Sequence, residues 1–203
     1  MPGNPPSVNT EREALLAYLV QQREGLKNAA YGLTEKQARS KPTVSPLTVG
    51  GLVKHVARTE ESWIQIMLGN PADGDERAYS ESFTLADSET LQSVIADLDR
   101  VATETEAAVA ELDDLGVKVR LPKAPWYPED TEGFSARWIL LHVIEEVARH
   151  AGHADIIREH IDGATMFELM AAAEGWPETD WLKPWRPAVD SGRDDDRAGE
   201  GPQ

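Results

Sequence analysis

The longest regular segment of this sequence runs from Ala136 to about Ile161, and it constrains the fold more than any other feature. Apolar residues recur through it at helical intervals, Ser135 supplies an N-cap, and Asp162 with Gly163 forms a terminating turn. A helix of this kind buries its apolar side against other elements of the fold. The segment therefore predicts one long, packed helix.

Three more long segments show helical periodicity, and residues that cap or break helices bound them. They lie over residues 11–31, between Pro46 and Gly69, and from Ser88 to Asp113. Thr10 and Glu13 have capping-box spacing at the start of the first, and Gly116 follows the third. No run of residues is typical of a strand, so we predict an all-α four-helix bundle, with the helices numbered one to four in chain order.

The connections complete this prediction. Residues 72–82, ADGDERAYSES, are typical of a polar loop, and residues 117–133, with three prolines, predict a long crossover loop that can cover a pocket. A short helix near 166–173 follows, then a coil that tryptophans pin to the bundle. We expect a flexible leader over 1–9, one domain over 10–185, and a disordered acidic tail over 186–203.

Composition excludes several classes of function. The chain has no cysteine, which rules out disulfides, thiolate zinc sites and a cysteine nucleophile. A net charge of −16 disfavours nucleic acids and anionic membranes. No apolar run approaches the roughly 18 residues of a membrane span, and no secretory signal is visible. We expect a cytoplasmic protein with small-molecule partners, and no nucleic-acid or membrane partner.

Helix four carries the candidate chemistry in the run HVIEEVARHAGH. The run places four polar side chains at separations of four, four and three residues: His142, Glu146, His150 and His153. At about 100° per residue they share about a quarter of the helix circumference. Apolar neighbours indicate that this stripe points partly inward, where unpaired imidazoles and carboxylates are costly unless they are hydrogen-bonded or bind a metal.

One interpretation of the stripe involves no metal. Internal hydrogen bonds and surface ion pairs, such as Glu145 with Arg149 four residues later, can satisfy groups of this kind. We expect this explanation to hold for His142 and His160.

The other interpretation is a metal site. Glu146 and His150 lie one turn apart, which is a common arrangement of two ligands on a bundle helix. His55 is the only histidine outside helix four, and it lies beside the apolar face of helix two. It is therefore the candidate third ligand.

The chain resembles the DinB superfamily of helical-bundle metalloproteins, in particular its mini-circle protein branch and the N-terminal domain of mycothiol-dependent maleylpyruvate isomerase. The resemblance covers roughly residues 10–175 and rests on two motifs, GGLVKHVARTEESW in helix two and the more specific LLHVIEEVARHAGHADIIREHIDG in helix four. It implies a bundle of DinB type with a short C-terminal helix. Carried over by position, it implies His55, Glu146 and His150 as metal ligands.

The same resemblance implies a metal and an activity. The glutamate at position 146 is similar to that of the isomerase, which implies Zn²⁺, with an open fourth position for substrate; Ni²⁺, Fe²⁺ or Mn²⁺ accept similar ligands. The implied enzyme is a metal-dependent thiol S-transferase that activates a low-molecular-weight thiol such as mycothiol and joins it to an electrophile. A loop around Trp126 and Tyr127 would enclose the electrophile, and His153 or His142 would handle protons.

Other functions stay open on the sequence alone. One is a hydrolase that uses metal-activated water. Another is a non-catalytic, metal-stabilised binding or stress-response protein, for which a fourth ligand such as His153 would be expected. A third is a histidine network without metal. Apolar strips on helices one and three weakly favour a homodimer.

Overall fold

A computed structural model describes residues 3–71, 76–122 and 133–187, and within these residues it contains seven helices and one pair of short strands. The helices α1 to α7 span Glu11–Ala30, Glu35–Ala38, Val49–Met67, Glu76–Ser82, Leu91–Ala110, Ala136–Asp162 and Met166–Ala173. The strands β1 (Lys118–Val119) and β2 (Phe134–Ser135) pair antiparallel. The predicted all-α fold is confirmed, with α1, α3, α5 and α6 as its four long helices.

Local capping explains where the long helices begin. The Thr10 hydroxyl accepts from the Glu13 backbone N–H, and the Glu13 carboxylate accepts from the Thr10 N–H in return. Thr90 caps α5 in the same way, through a 3.1 Å hydrogen bond from the Ser93 N–H. The third predicted long helix, which is α5 in the structure, was expected to begin near Ser88. It begins later, because its cap is Thr90.

The apolar core lies between the four long helices. The α6 helix packs against both α1 and α3, and α3 also packs against α5. The core includes several side chains with no solvent exposure: Leu19, Leu26, Leu52, Val53, Leu98, Ile139 and Leu140. Since α3 and α6 face each other across it, the polar stripe of α6 and His55 on α3 are brought into the same interior.

The prediction of a polar loop over residues 72–82 is partly wrong. Residues 76–82 form α4, a helix whose side chains are exposed except for Ser82. It has no apolar period, so the sequence pattern gives no helical signal. Residues 72–75 of the predicted loop, and residues 123–132 of the crossover loop with Trp126 and Tyr127, lie outside the described residues.

Trp185 and the buried Leu182 hold the C-terminal coil to the bundle. The backbone N–H of Trp185 donates to the Glu168 carbonyl at 2.9 Å, and its ring lies 4.8 Å from the buried guanidinium of Arg158. Trp181, in contrast, is 78% exposed. The predicted pinning therefore holds for Trp185 and not for Trp181. Residues 188–203 of the predicted tail lie outside the described residues.

No helix in the described part of the chain combines the length and the apolar character needed to span a membrane.

Candidate metal centre

The candidate centre lies between α3 and α6, where His55 faces Glu146 and His150. One ligand atom from each residue lies within 4.8 Å of the ligand atoms of the other two. His55 is 1% exposed and His150 is 8% exposed, whereas Glu146 is half-buried. The structure therefore brings together the three residues that the sequence predicted as a group.

The spacing of these groups fits a small divalent ion. Ligand atoms about 2.1 Å from a tetrahedral zinc ion lie roughly 3.4 Å from one another. His150 Nε2 lies 3.5 Å from Glu146 Oε2. The ligand atoms of His55, Glu146 and His150 all lie within 4.8 Å of one another, so small side-chain rotations would let all three bind one ion. Two imidazoles and one carboxylate are also ligand types that zinc accepts.

Side chains from α3, from α4 and from Phe83, the residue after α4, surround the His55 ring. Its Nδ1 lies 2.8 Å from Ser82 Oγ, and its Nε2 lies 3.3 Å from Thr59 Oγ1. The Phe83 ring stacks on it at 3.7 Å between centroids, and the Tyr79 ring meets it edge-on at 5.5 Å. Sequence analysis missed all four of these contacts. Only Thr59 carried a signal, since it lies one helical turn after His55.

Burial keeps both histidines neutral over the physiological range. Burial, and then repulsion from His150 when that ring is protonated, lowers the pKa of His55 to about 4. Burial also lowers the pKa of His150, although the Glu146 carboxylate opposes that shift. Both imidazoles consequently present a free lone pair at neutral pH, which is the form that binds metal ions.

The two candidate proton-handling histidines lie on opposite sides of this group. His153 Nδ1 is 3.5 Å from His150 Nδ1, while His142 Nε2 is 4.0 Å from Glu146 Oε1. The His142 ring is stacked on Trp138 and meets Trp63 edge-on. The structure therefore places both histidines next to the predicted ligands, and neither touches His55 in a described contact.

Ordinary polar contacts were also expected on the fourth long helix, which is α6 in the structure. Glu145 pairs with Arg149 as predicted, and the pair is exposed to solvent. His160 Nδ1 donates to the Ile156 carbonyl at 2.8 Å on the surface. This hydrogen bond is of the kind expected for His160.

A second group of potential ligands lies one turn earlier on α6. It consists of His142, Glu145 and Glu146, and it is more exposed than the first. All three side chains come from one helix, and Glu145 already pairs with Arg149. The first group contains two imidazoles, is less exposed to solvent and takes its ligands from two helices, so it is the better candidate for a metal site.

The chain is similar to known proteins in sequence and in fold. A family model described as mycothiol-S-transferase matches residues 14–163. The crystal structure of a conserved protein from Enterococcus faecalis has a TM-score of 0.57 and 14% identity, over 77% of this chain and 100% of that one. At that identity the likeness shows the fold alone. Among curated proteins, no sequence matches this chain.

Proposed function

Because this chain belongs to the mycothiol-S-transferase family, we propose that it joins a low-molecular-weight thiol such as mycothiol to an electrophile at a zinc site formed by His55, Glu146 and His150. The observation that carries this proposal is the convergence of these three side chains from facing helices. The family supports the thiol substrate, and the ligand types support the ion.

The absence of cysteine supports an external thiol as the nucleophile. With no thiol in the chain, the sulfur that attacks the electrophile has to arrive as a substrate. A bound zinc ion supplies Lewis-acid stabilisation of negative charge on sulfur, which lowers the cost of deprotonating the thiol at neutral pH. The protein's own residues then have to hold the ion, receive the proton and orient the acceptor.

Proton transfer is the part we assign to His142 or His153. During reaction the thiol S–H bond breaks, a carbon–sulfur bond forms, and the electrophile either expels a leaving group or takes up a proton. A neutral imidazole beside the ligands can accept the thiol proton and return it to the product or solvent. Both histidines lie within 4.0 Å of a proposed ligand.

Metal content and turnover test the proposal together. Native protein should hold about one zinc per chain and convert mycothiol and an aromatic electrophile to the thioether, measured by mass spectrometry. His55→Ala and Glu146→Gln should lose both properties. His160→Ala removes an exposed histidine of the same helix as Glu146, and Glu145→Gln removes the adjacent carboxylate; both should keep zinc and activity.

The identity of the product separates the competing functions. Addition of water to the electrophile, without thiol consumption, would replace the transferase by a hydrolase. Stoichiometric zinc that is lost in His153→Ala would make His153 a fourth ligand and the ion structural. Native protein without metal after reconstitution with several divalent ions would contradict the proposal as a whole.

A further inference from the structure

The turn at the end of α4 surrounds the buried His55 ring on several sides. Ser82 contacts its Nδ1 edge, Phe83 covers one face, and Tyr79 meets its edge from a second direction. Ser82 is only 5% exposed, so water does not compete for this contact. The hydrogen bond between Ser82 and His55 therefore fixes the ring more firmly than a surface contact would.

Counting hydrogens assigns the direction of that bond. The Ser82 hydroxyl donates to the Tyr79 backbone carbonyl at 2.6 Å, and a carbonyl can only accept. Since a hydroxyl has one hydrogen, Ser82 Oγ has to accept from His55 at the 2.8 Å contact. The proton of the neutral imidazole consequently sits on Nδ1, and Nε2 keeps its lone pair.

A glycine on α3 permits the approach of this turn. A Cβ atom at Gly51 would lie 2.0 Å from the Phe83 carbonyl oxygen and 2.8 Å from its carbonyl carbon. Both are backbone atoms, so any larger residue would push residues 82 and 83 away from α3. Gly51 lies one helical turn before His55 on the same side of the helix, next to the contact that it makes room for.

Building on the proposed function, we infer that Ser82 is a positioning residue that holds His55 in the Nδ1–H tautomer with Nε2 free for the metal. In this inference Gly51 allows the turn that contains Ser82 to pack against α3. A histidine that binds a metal through one nitrogen commonly donates from the other, and losing that partner weakens metal binding by about 10- to 100-fold. Free imidazole side chains prefer the opposite tautomer, so the protein has to impose this one.

The first measurement uses metal-free protein and is independent of zinc. Long-range ¹H–¹⁵N correlation spectra of histidine-labelled protein at pH 7 report which ring nitrogen carries the proton, with His55→Asn providing the assignment. Native protein should show His55 protonated at Nδ1. Ser82→Ala should shift it towards Nε2–H, because the remaining nearby hydroxyl, Thr59 Oγ1, faces Nε2. Ser80→Ala, on the exposed side of α4, is the matched control.

The second measurement is zinc affinity, obtained by competition with a chromophoric chelator. Ser82→Ala should weaken binding by about 10- to 100-fold, with Ser80→Ala unchanged. Gly51→Ala should weaken it in the same direction, whereas Gly25→Ala should not, because its new Cβ would make only an ordinary 3.9 Å contact with Ala151.

The two measurements separate failure of this inference from failure of the proposed function. An Nε2–H tautomer in native metal-free protein, or unchanged zinc affinity in Ser82→Ala, would overturn the role of Ser82. Native protein that binds no zinc would overturn the proposed function, while the tautomer measured in the same sample still decides what Ser82 does to His55.

Discussion

The α3 helix carries two buried ionisable side chains five residues apart, and they belong to two very different polar clusters. His55 faces α6 and the candidate metal centre. Glu60, with no solvent exposure, faces α1 and α5 instead. There it accepts hydrogen bonds from Arg23, with Nε at 3.0 Å, and from the Thr105 hydroxyl. One helix therefore contributes to both clusters within two turns.

The clusters differ in how their charges and hydrogen bonds are balanced. In the cluster of Arg23, Glu60 and Thr105, a cation and a hydroxyl group both donate to an anion. The chain itself therefore supplies the hydrogen-bond donors that the buried carboxylate needs. The cluster of His55, Glu146 and His150 brings lone pairs together, and the lowered pKa of both histidines disfavours the protonation that would make salt bridges. A cluster whose hydrogen bonds are satisfied internally stabilises the folded chain, whereas a group of converging acceptors is suited to binding a cation.

The largest expected effect tests the folding role of the Arg23 cluster. Arg23→Met leaves the Glu60 carboxylate buried without its cation, which should lower the free energy of unfolding by about 3–5 kcal/mol. Urea denaturation measures this loss. Zinc affinity should stay close to that of native protein, because none of the described hydrogen bonds of this cluster reaches the candidate centre.

A paired substitution serves as the control for that experiment. Arg23→Met combined with Glu60→Leu removes both charges and keeps apolar volume, so it should regain most of the lost stability. If the double variant is no more stable than Arg23→Met, loss of packing explains the effect and the contrast between the clusters weakens.

The next effect tests the candidate centre by ligand-linked stability. Zinc at a free concentration 100 times its dissociation constant should stabilise native protein by about 2.7 kcal/mol, because only the folded chain holds the complete site. His55→Ala should show no such gain in thermal or urea unfolding, and His160→Ala should show all of it. Equal stabilisation of His55→Ala would move the site elsewhere.

Much of the fold could be predicted because its signals are local. Capping residues such as Thr10 and Ser135 and the apolar period of each long helix lie within a few positions of what they specify. The grouping of Glu146 with His150 could be predicted for the same reason, since one helical turn separates them. His55 required in addition the resemblance and the scarcity of histidines elsewhere.

The missed features depend on contacts between distant segments. Ser82 follows His55 by 27 residues in a polar stretch, and nothing local to it indicates that it points into the bundle. The α4 helix was missed because its stability derives from tertiary contacts and not from an apolar face. Burial of Arg23 does have a local signal, since it lies between Leu19 and Leu26 on the buried side of α1.

A third polar group, the half-buried Asp155 on α6, belongs to neither cluster. Asp155 has a buried oxygen with no hydrogen-bond partner among the described residues. Burial, and then the nearby Glu159 carboxylate, raises its pKa from 3.8 to about 6. Between those values the folded chain binds more protons than the unfolded chain, so this group lowers stability as pH rises through that window.

Asp155→Asn should remove that contribution. The variant should match native protein near pH 4, gain stability relative to it between about pH 4 and 6, and exceed it by about 1–3 kcal/mol at pH 7 and above, after allowance for solvent screening. Urea denaturation of both proteins at each pH gives the difference. A difference that is independent of pH would show that ionisation of Asp155 is not the cause.

The smallest expected effect distinguishes the two groups of potential ligands on α6. Glu145 belongs only to the exposed group with His142 and Glu146, and solvent screens its exposed ion pair with Arg149. Glu145→Gln should therefore leave the free energy of unfolding almost unchanged and leave zinc stoichiometry at one. If Glu145→Gln loses zinc while His55→Ala retains it, the ion binds on the surface of α6, and the buried group between α3 and α6 becomes a hydrogen-bonded cluster comparable to that of Arg23 and Glu60.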